Sequence, residues 1–167
     1  MLFINELKNS DNINKESLKL IDNSDKYHFE TKKENISYTD WNCSNKNTTY
    51  FKFLVKHLKS IMNSIANQLH SYDWNIDYYW FQQYYKNDYH SWHTHIKTQF
   101  TNIYYVELPE SSMATEIYKH KKLTLKEGNL LTFPSWWYHR SIVNNTDKRK
   151  TIISFNSNFQ NFKQEEK

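Results

Sequence analysis

The chain is poor in the residues that bend or break a backbone: one glycine and two prolines in 167 residues. Its one cysteine, Cys43, excludes an internal disulfide framework and fits a reducing compartment. Arginine is nearly absent too. Of 22 basic residues only Arg140 and Arg149 are arginines, and the lysines lie scattered among 18 carboxylates. A nucleic-acid binder concentrates its basic residues with arginine prominent, whereas here only short clusters such as His120-Lys121-Lys122 occur, so despite the net charge of +4 the pattern argues against a nucleic-acid partner. No run approaches the ~18 apolar residues of a membrane span, and MLFINELKNSDNINKES has no basic n-region. The expectation is a soluble, cytoplasmic chain without membrane contact.

What is abundant is aromatic: 6 Trp, 13 Tyr and 10 Phe, 17% of the chain, which argues against disorder despite a mean hydropathy of −0.94. The length suits a single domain over residues 1–167 with a core of its own. Residues 1–72 read as a preface: a short strand at Met1–Leu7, a short helix at Lys15–Ile21, a loop at Asn42–Thr49, then a helix over Tyr50–His70. In that helix Leu54, Leu58, Ile61, Ile65 and Leu69 form one apolar stripe. It packs on a sheet, and offers a surface through which the chain can pair with a copy of itself.

After Asp73 the period changes from 3.6 to 2, with Trp74, Ile76, Tyr78 and Trp80 alternating with polar neighbours. Further strands are expected at Phe100–Leu108, Ala114–Tyr118, Lys122–Leu125, Asn129–Phe133, Tyr138–Val143 and Lys150–Phe155, with the lone glycine, Gly128, at a turn that needs positive φ. Many short strands after one or two helices predict a mainly β sandwich or barrel with helices packed on one face. Residues 73–160 form that core and 161–167 a polar tail.

Three of eight histidines crowd into His90-Ser-Trp-His93-Thr-His95. On a strand, His93 and His95 share a face and can bind one metal ion, though an isolated HxH is also compatible with two surface histidines. His139, after Gly128-Asn-Leu-Leu-Thr-Phe-Pro134, offers a third imidazole; the alternative is a histidine packed beside Trp136 and Trp137. Three ligands on one face leave the other open, as a catalytic site requires. Ten residues on, Arg149 shares a strand face with Thr151, Ile153 and Phe155; facing inward, its fork would suit a carboxylate, whereas in Asp147-Lys-Arg-Lys it is also placed to be solvated. Arg140, opposite His139 by alternation, is assigned to a surface ion pair.

This pattern of HxH, then His, then Arg with a hydroxyl residue two beyond, resembles the 2-oxoglutarate/Fe(II)-dependent oxygenases, whose HxD…H binds iron and whose R-x-S/T binds the distal carboxylate of 2-oxoglutarate. WHTH, NIYYVELP, EGNLLTFPSWWYH and RKTIISFN are similar to the small 2OG-Fe(II) oxygenase group of bacteria and phages, over about residues 74–157. The resemblance implies a double-stranded β-helix (a jelly-roll or cupin-like barrel) and a cytoplasmic setting in a bacterium or phage host. It also implies a hydroxylase that couples O2 activation to decarboxylation of 2-oxoglutarate to succinate. By it, His93, His95 and His139 are the metal ligands at the catalytic centre. Arg149 and Thr151 hold 2-oxoglutarate, joined by Tyr105 from IYYV as in prolyl-hydroxylase-like relatives. His95 stands where the family has a carboxylate, leaving three neutral ligands; recruitment of Glu107 or Asp88 is disfavoured. Trp92, Trp136, Trp137 and Tyr138 flank the site, and the loops Lys86–Trp92 and Glu110–Lys119 are expected to choose a small-molecule or peptide substrate.

Two rivals remain. A cupin-type metal enzyme that ignores 2-oxoglutarate matches HxH and Gly128…Pro134…His139, with Gln99 where a glutamate is usual. A non-enzymatic jelly-roll binding module would keep the histidines structural.

Overall fold

The computed structural model describes residues 1–162. The elements run β1 (Phe3–Glu6), α1 (Ser10–Asp22), β2 (Tyr27–Glu30), β3 (Asn35–Thr39), α2 (Thr49–Gln68), β4 (Ser71–Tyr84), β5 (His90–His93), β6 (Phe100–Glu107), β7 (Glu116–Ile117), β8 (Asn129–Pro134), β9 (His139–Ser141) and β10 (Lys150–Phe162). Two antiparallel sheets result: seven strands in the order β1-β8-β6-β10-β4-β3-β2, and three in the order β5-β9-β7. They lie as in a mainly β, double-stranded β-helix, open rather than closed into a barrel.

Helix α2 forms because its apolar residues recur at helical spacing with no glycine or proline to interrupt them. It buries Tyr50, Phe51, Leu54, Leu58, Met62, Ile65 and Ala66, so the stripe runs through Met62, with Ile61 only partly buried. Burying each large apolar side chain contributes roughly 1.5–3 kcal/mol. Helix α1 joins α2 over one face of the large sheet, against Phe81, Tyr104, Val106, Ile153 and Phe155. The other face carries Tyr84, Ile103, Tyr105, Phe133 and Ile152, packed with Ile117 of the small sheet.

Central strand β10 is paired on both sides, with β4 (Lys150↔Tyr84) and with β6 (Ile152↔Tyr105). Its two faces therefore look in opposite directions: Ile153 and Phe155 toward the helices, Ile152 toward the small sheet. At Gly128 φ is +80°, as its turn requires; its N–H donates to Tyr105 O (2.8 Å) and its carbonyl accepts from Leu7 N–H (2.9 Å).

Some expectations need correction. Lys122–Leu125 is not a strand, because the chain leaves the sheet through a left-handed Lys119 (φ 59°) and runs irregularly to Gly128. The Ala114–Tyr118 strand shrinks to β7. The β2–β3 hairpin extends the large sheet although its sequence is polar. Residues 161–162 end β10, and the rest of the expected tail, 163–167, lies outside the described residues. No helix among the described residues is long and apolar enough to cross a membrane.

Candidate metal centre

Two strand ends and a loop bring His93, His139 and His95 together. His93 closes β5 opposite His139 on β9. His95 lies just past β5, where its N–H donates to Ser135 O (2.9 Å), so a loop and not strand alternation turns it inward. The ligand nitrogens of the three lie within 4.8 Å of one another, a span that a small side-chain rotation closes onto one ion with ~2.0–2.1 Å bonds.

Hydrogen bonding fixes the same tautomer on all three rings. His93 Nδ1–H donates to Ser91 O (2.7 Å) and His139 Nδ1–H to Trp137 O (3.0 Å). His95 Nδ1 lies 2.8 Å from Asn156 Oδ1, with Thr101 Oγ1 at 2.9 Å. With each Nδ1 proton committed to an oxygen, each Nε2 carries its lone pair into the site. Burial holds the rings neutral: His139 is pushed down to about 2 and His95 to about 4, mainly by desolvation and then by neighbouring imidazoles for His139 and despite the Asn156 bond for His95. His90, stacked on His93 at 3.7 Å, is held at about 3 by the same cause. The donor set therefore fits a divalent metal.

The histidines line a cavity of about 370 Å³. Its walls include Trp80, Gln82, Tyr84, Ile152, Ser154 and Asn156, and no aspartate or glutamate among the described residues. The aromatic Phe29, Trp41 and Tyr78 complete it from β2, the loop after β3, and β4. Glu107 and Asp88 are not fourth ligands: Glu107 pairs with Arg149, and Asp88 accepts from Tyr85 N–H (2.8 Å). Gln99 is also engaged elsewhere, its Oε1 accepting Phe159 N–H (2.8 Å), which removes the residue a cupin-type site would need.

Arg149 and Thr151 do not reach this cavity. Arg149 and Thr151 share a face with Ile153 and Phe155, as the alternation requires, but that face looks toward the helices. Arg149 Nε donates to Glu107 Oε2 (2.8 Å) and Nη1 to Asp22 Oδ1 (3.0 Å) at the end of α1, while Thr151 Oγ1 donates to Glu107. The apolar run beside Arg149 marks the helix-covered core; the cavity face is the mixed one, Lys150, Ile152, Ser154 and Asn156. A shift of one residue exchanges the faces.

That shift puts Lys150 on the same face of β10 as Ile152, Ser154 and Asn156, behind Ser141, which lines the cavity while Lys150 itself does not. It is 1% exposed, with Nζ donating to Met113 O (2.7 Å) and Ser141 Oγ (2.8 Å) and lying 4.9 Å from the Tyr84 ring centre. No carboxylate pairs with it among the described residues, and burial pushes its pKa down to about 7. Ser141 lies two residues beyond His139 on β9, about 7 Å along the strand, comparable with the length of a five-carbon dicarboxylate. Tyr105 is on this side as well but behind the wall: its hydroxyl donates to Thr115 Oγ1 (2.9 Å), accepts Thr115 N–H (3.1 Å), and is pushed up to about 12 by burial. Trp92 and Arg140 pack together, and Arg140 makes the expected ion pair with Glu116 (2.7 Å). The sequence signal for Lys150 and Asn156 was the polar phase of β10, which stands out only once its partner face is known to be covered.

No family model matches the chain, and no curated protein matches it by sequence. Solved structures do match in fold. The viral collagen prolyl hydroxylase of Paramecium Bursaria Chlorella virus-1, in complex with 2-oxoglutarate, is 14% identical with a TM-score of 0.60, over 93% of this chain and 94% of that one. The non-heme α-ketoglutarate-dependent epimerase SnoN from nogalamycin biosynthesis is 8% identical with a TM-score of 0.71, over 93% and 75%. HygX from Streptomyces hygroscopicus, with nickel and 2-oxoglutarate bound, is 6% identical with a TM-score of 0.69, over 93% and 82%. The chain thus has the fold of the 2OG-Fe(II) oxygenases, and prolyl hydroxylases are among its structural neighbours.

Proposed function

We propose that this chain is an Fe(II)- and 2-oxoglutarate-dependent oxygenase that hydroxylates an unidentified small-molecule or peptide substrate. One observation carries the reading: three imidazoles, one buried and two half-buried, each locked with Nε2 free, converge in a single cavity of an oxygenase fold. His93, His95 and His139 would hold the metal. Bound Fe(II) supplies O2 activation coupled to decarboxylation of 2-oxoglutarate to succinate. With three neutral ligands the ion's charge is left unbalanced in a cavity without carboxylates, so the anionic co-substrate takes a larger share of the metal's binding energy.

Lys150 takes the place assigned to Arg149, holding the distal carboxylate in its ammonium form beside the Ser141 hydroxyl. Its point charge on a buried stem suits this, since binding an anion offsets the desolvation that depresses its pKa. Asn156 and Thr101 orient His95, and the aromatic walls keep bulk water from the reacting centre. The test is succinate formation from 2-oxoglutarate by the Fe(II)-loaded protein in air, without added substrate. Slow turnover that is lost in His139→Ala supports the reading; metal binding without any succinate favours a cupin-type enzyme.

A further inference from the structure

Beside the cavity runs a second depression of about 260 Å³, formed where the chain leaves β7. Trp92, Tyr118, Lys119, His120, Lys121 and Lys122 line it, four basic side chains in succession on an exposed turn. Among the described residues none of the three lysines has a carboxylate partner, and the one acid in the groove, Glu116, is taken by Arg140 at 2.7 Å. Arg140 is the partition: it lines the cavity and stacks its guanidinium on Trp92 at 4.6 Å. The groove and the cavity are therefore adjacent compartments of opposite character, one cationic and exposed, the other aromatic and free of acids.

The aromatic compartment is held rigid. Trp41 N–H donates to Thr39 Oγ1 (3.1 Å), its carbonyl accepts from Tyr27 Oη (2.7 Å), and Asn42 N–H donates to Tyr78 Oη (3.1 Å). Beneath them the fully buried Asp40 accepts from Tyr50 Oη (2.6 Å) and Phe81 N–H (3.0 Å), pinning the loop to α2 and β4. Fixed rings in a cavity lined by no carboxylate suit an uncharged planar group, and clustered lysines suit a dense anion. Lys119, Lys121 and Lys122 are near neighbours in the sequence, and the fold sets that short cluster beside Trp92, on which Arg140 stacks.

Resting on the oxygenase reading, we propose that the substrate is a nucleotide, free or within a single strand, with its phosphate in the Lys119–Lys122 groove and its ring in the aromatic cavity. The experiment measures binding by calorimetry under anaerobic conditions, with Fe(II) and 2-oxoglutarate present, at one fixed salt concentration. The probes are AMP, adenosine and a short oligothymidylate, against wild type and the exposed double variant Lys121→Glu/Lys122→Glu. The expected result is submillimolar binding of AMP or the oligonucleotide, weaker binding of adenosine, and a loss of roughly tenfold or more in the variant. Binding of AMP marks a free nucleotide as the source; binding of the oligonucleotide alone marks a single strand. The proposal is overturned if neither phosphorylated probe binds, or if the variant binds them as wild type does. Titration of 2-oxoglutarate into the same samples separates the two readings: intact there with no nucleotide bound, the oxygenase stands and the groove assignment falls; absent there with AMP bound, the reverse holds.

Discussion

Replacing Lys150 by methionine should cost most of the affinity for 2-oxoglutarate while sparing the metal. The two groups its ammonium now contacts, Met113 O and Ser141 Oγ, are neutral, so a carboxylate seated at Ser141, on the cavity wall, would be its one charged partner. A hydrogen bond to a charged group contributes about 1.5–3 kcal/mol, which corresponds to roughly 10–150-fold in Kd. The free amine titrates near 7, so the ligand-competent ammonium dominates below that pH and is depleted above it. Affinity of the wild type should therefore be flat at acid pH and fall above about 7, by up to roughly tenfold per unit until the bound-state pKa is reached. Anaerobic calorimetry of Fe(II)-loaded wild type, Lys150→Met and Arg149→Ala at several pH values measures all of this. A Lys150→Met protein that binds 2-oxoglutarate within twofold of wild type, with Arg149→Ala strongly weakened, would refute the assignment.

Arg149→Ala should instead reduce stability by about 1–3 kcal/mol, seen as a fall of several degrees in Tm, because it strands Glu107 and Asp22 while leaving 2-oxoglutarate binding intact. Asn156→Ala, which frees the His95 ring, should weaken metal binding by about 10–100-fold, measured by chelator competition. Lys150 also affects stability. Its pKa in the folded protein lies below the ordinary 10.5, so between about 7 and 10.5 the unfolded chain holds more protons and denaturation midpoints should rise with pH, an increase absent from Lys150→Met. Gly128→Ala should destabilise by at least about 1 kcal/mol, since φ is +80° and a Cβ would overlap Ser10; a Tm within a degree of wild type contradicts this.

Much of this site was legible because its parts obey short-range rules. The His93/His95 pair and His139 were visible as spacing, the α2 stripe as a 3.6 period, and Gly128 as the only residue suited to its turn. The face of β10 was not legible. Alternation says that Arg149 and Thr151 share one side and Lys150 and Ile152 the other, but not which side the helices cover; Phe51 against Phe155 decides it. The β2–β3 hairpin escaped for a related reason: its polar residues pair with β4 at an edge, and Phe29 and Trp41 enter the cavity wall from segments with no period to announce them.

The account stands most directly on one spectrum, that of wild-type protein titrated anaerobically with Fe(II) and then with 2-oxoglutarate. It predicts a weak visible charge-transfer band that saturates at one equivalent of each and is missing from His139→Ala. Tight Fe(II) binding with no band at any concentration of 2-oxoglutarate would contradict it.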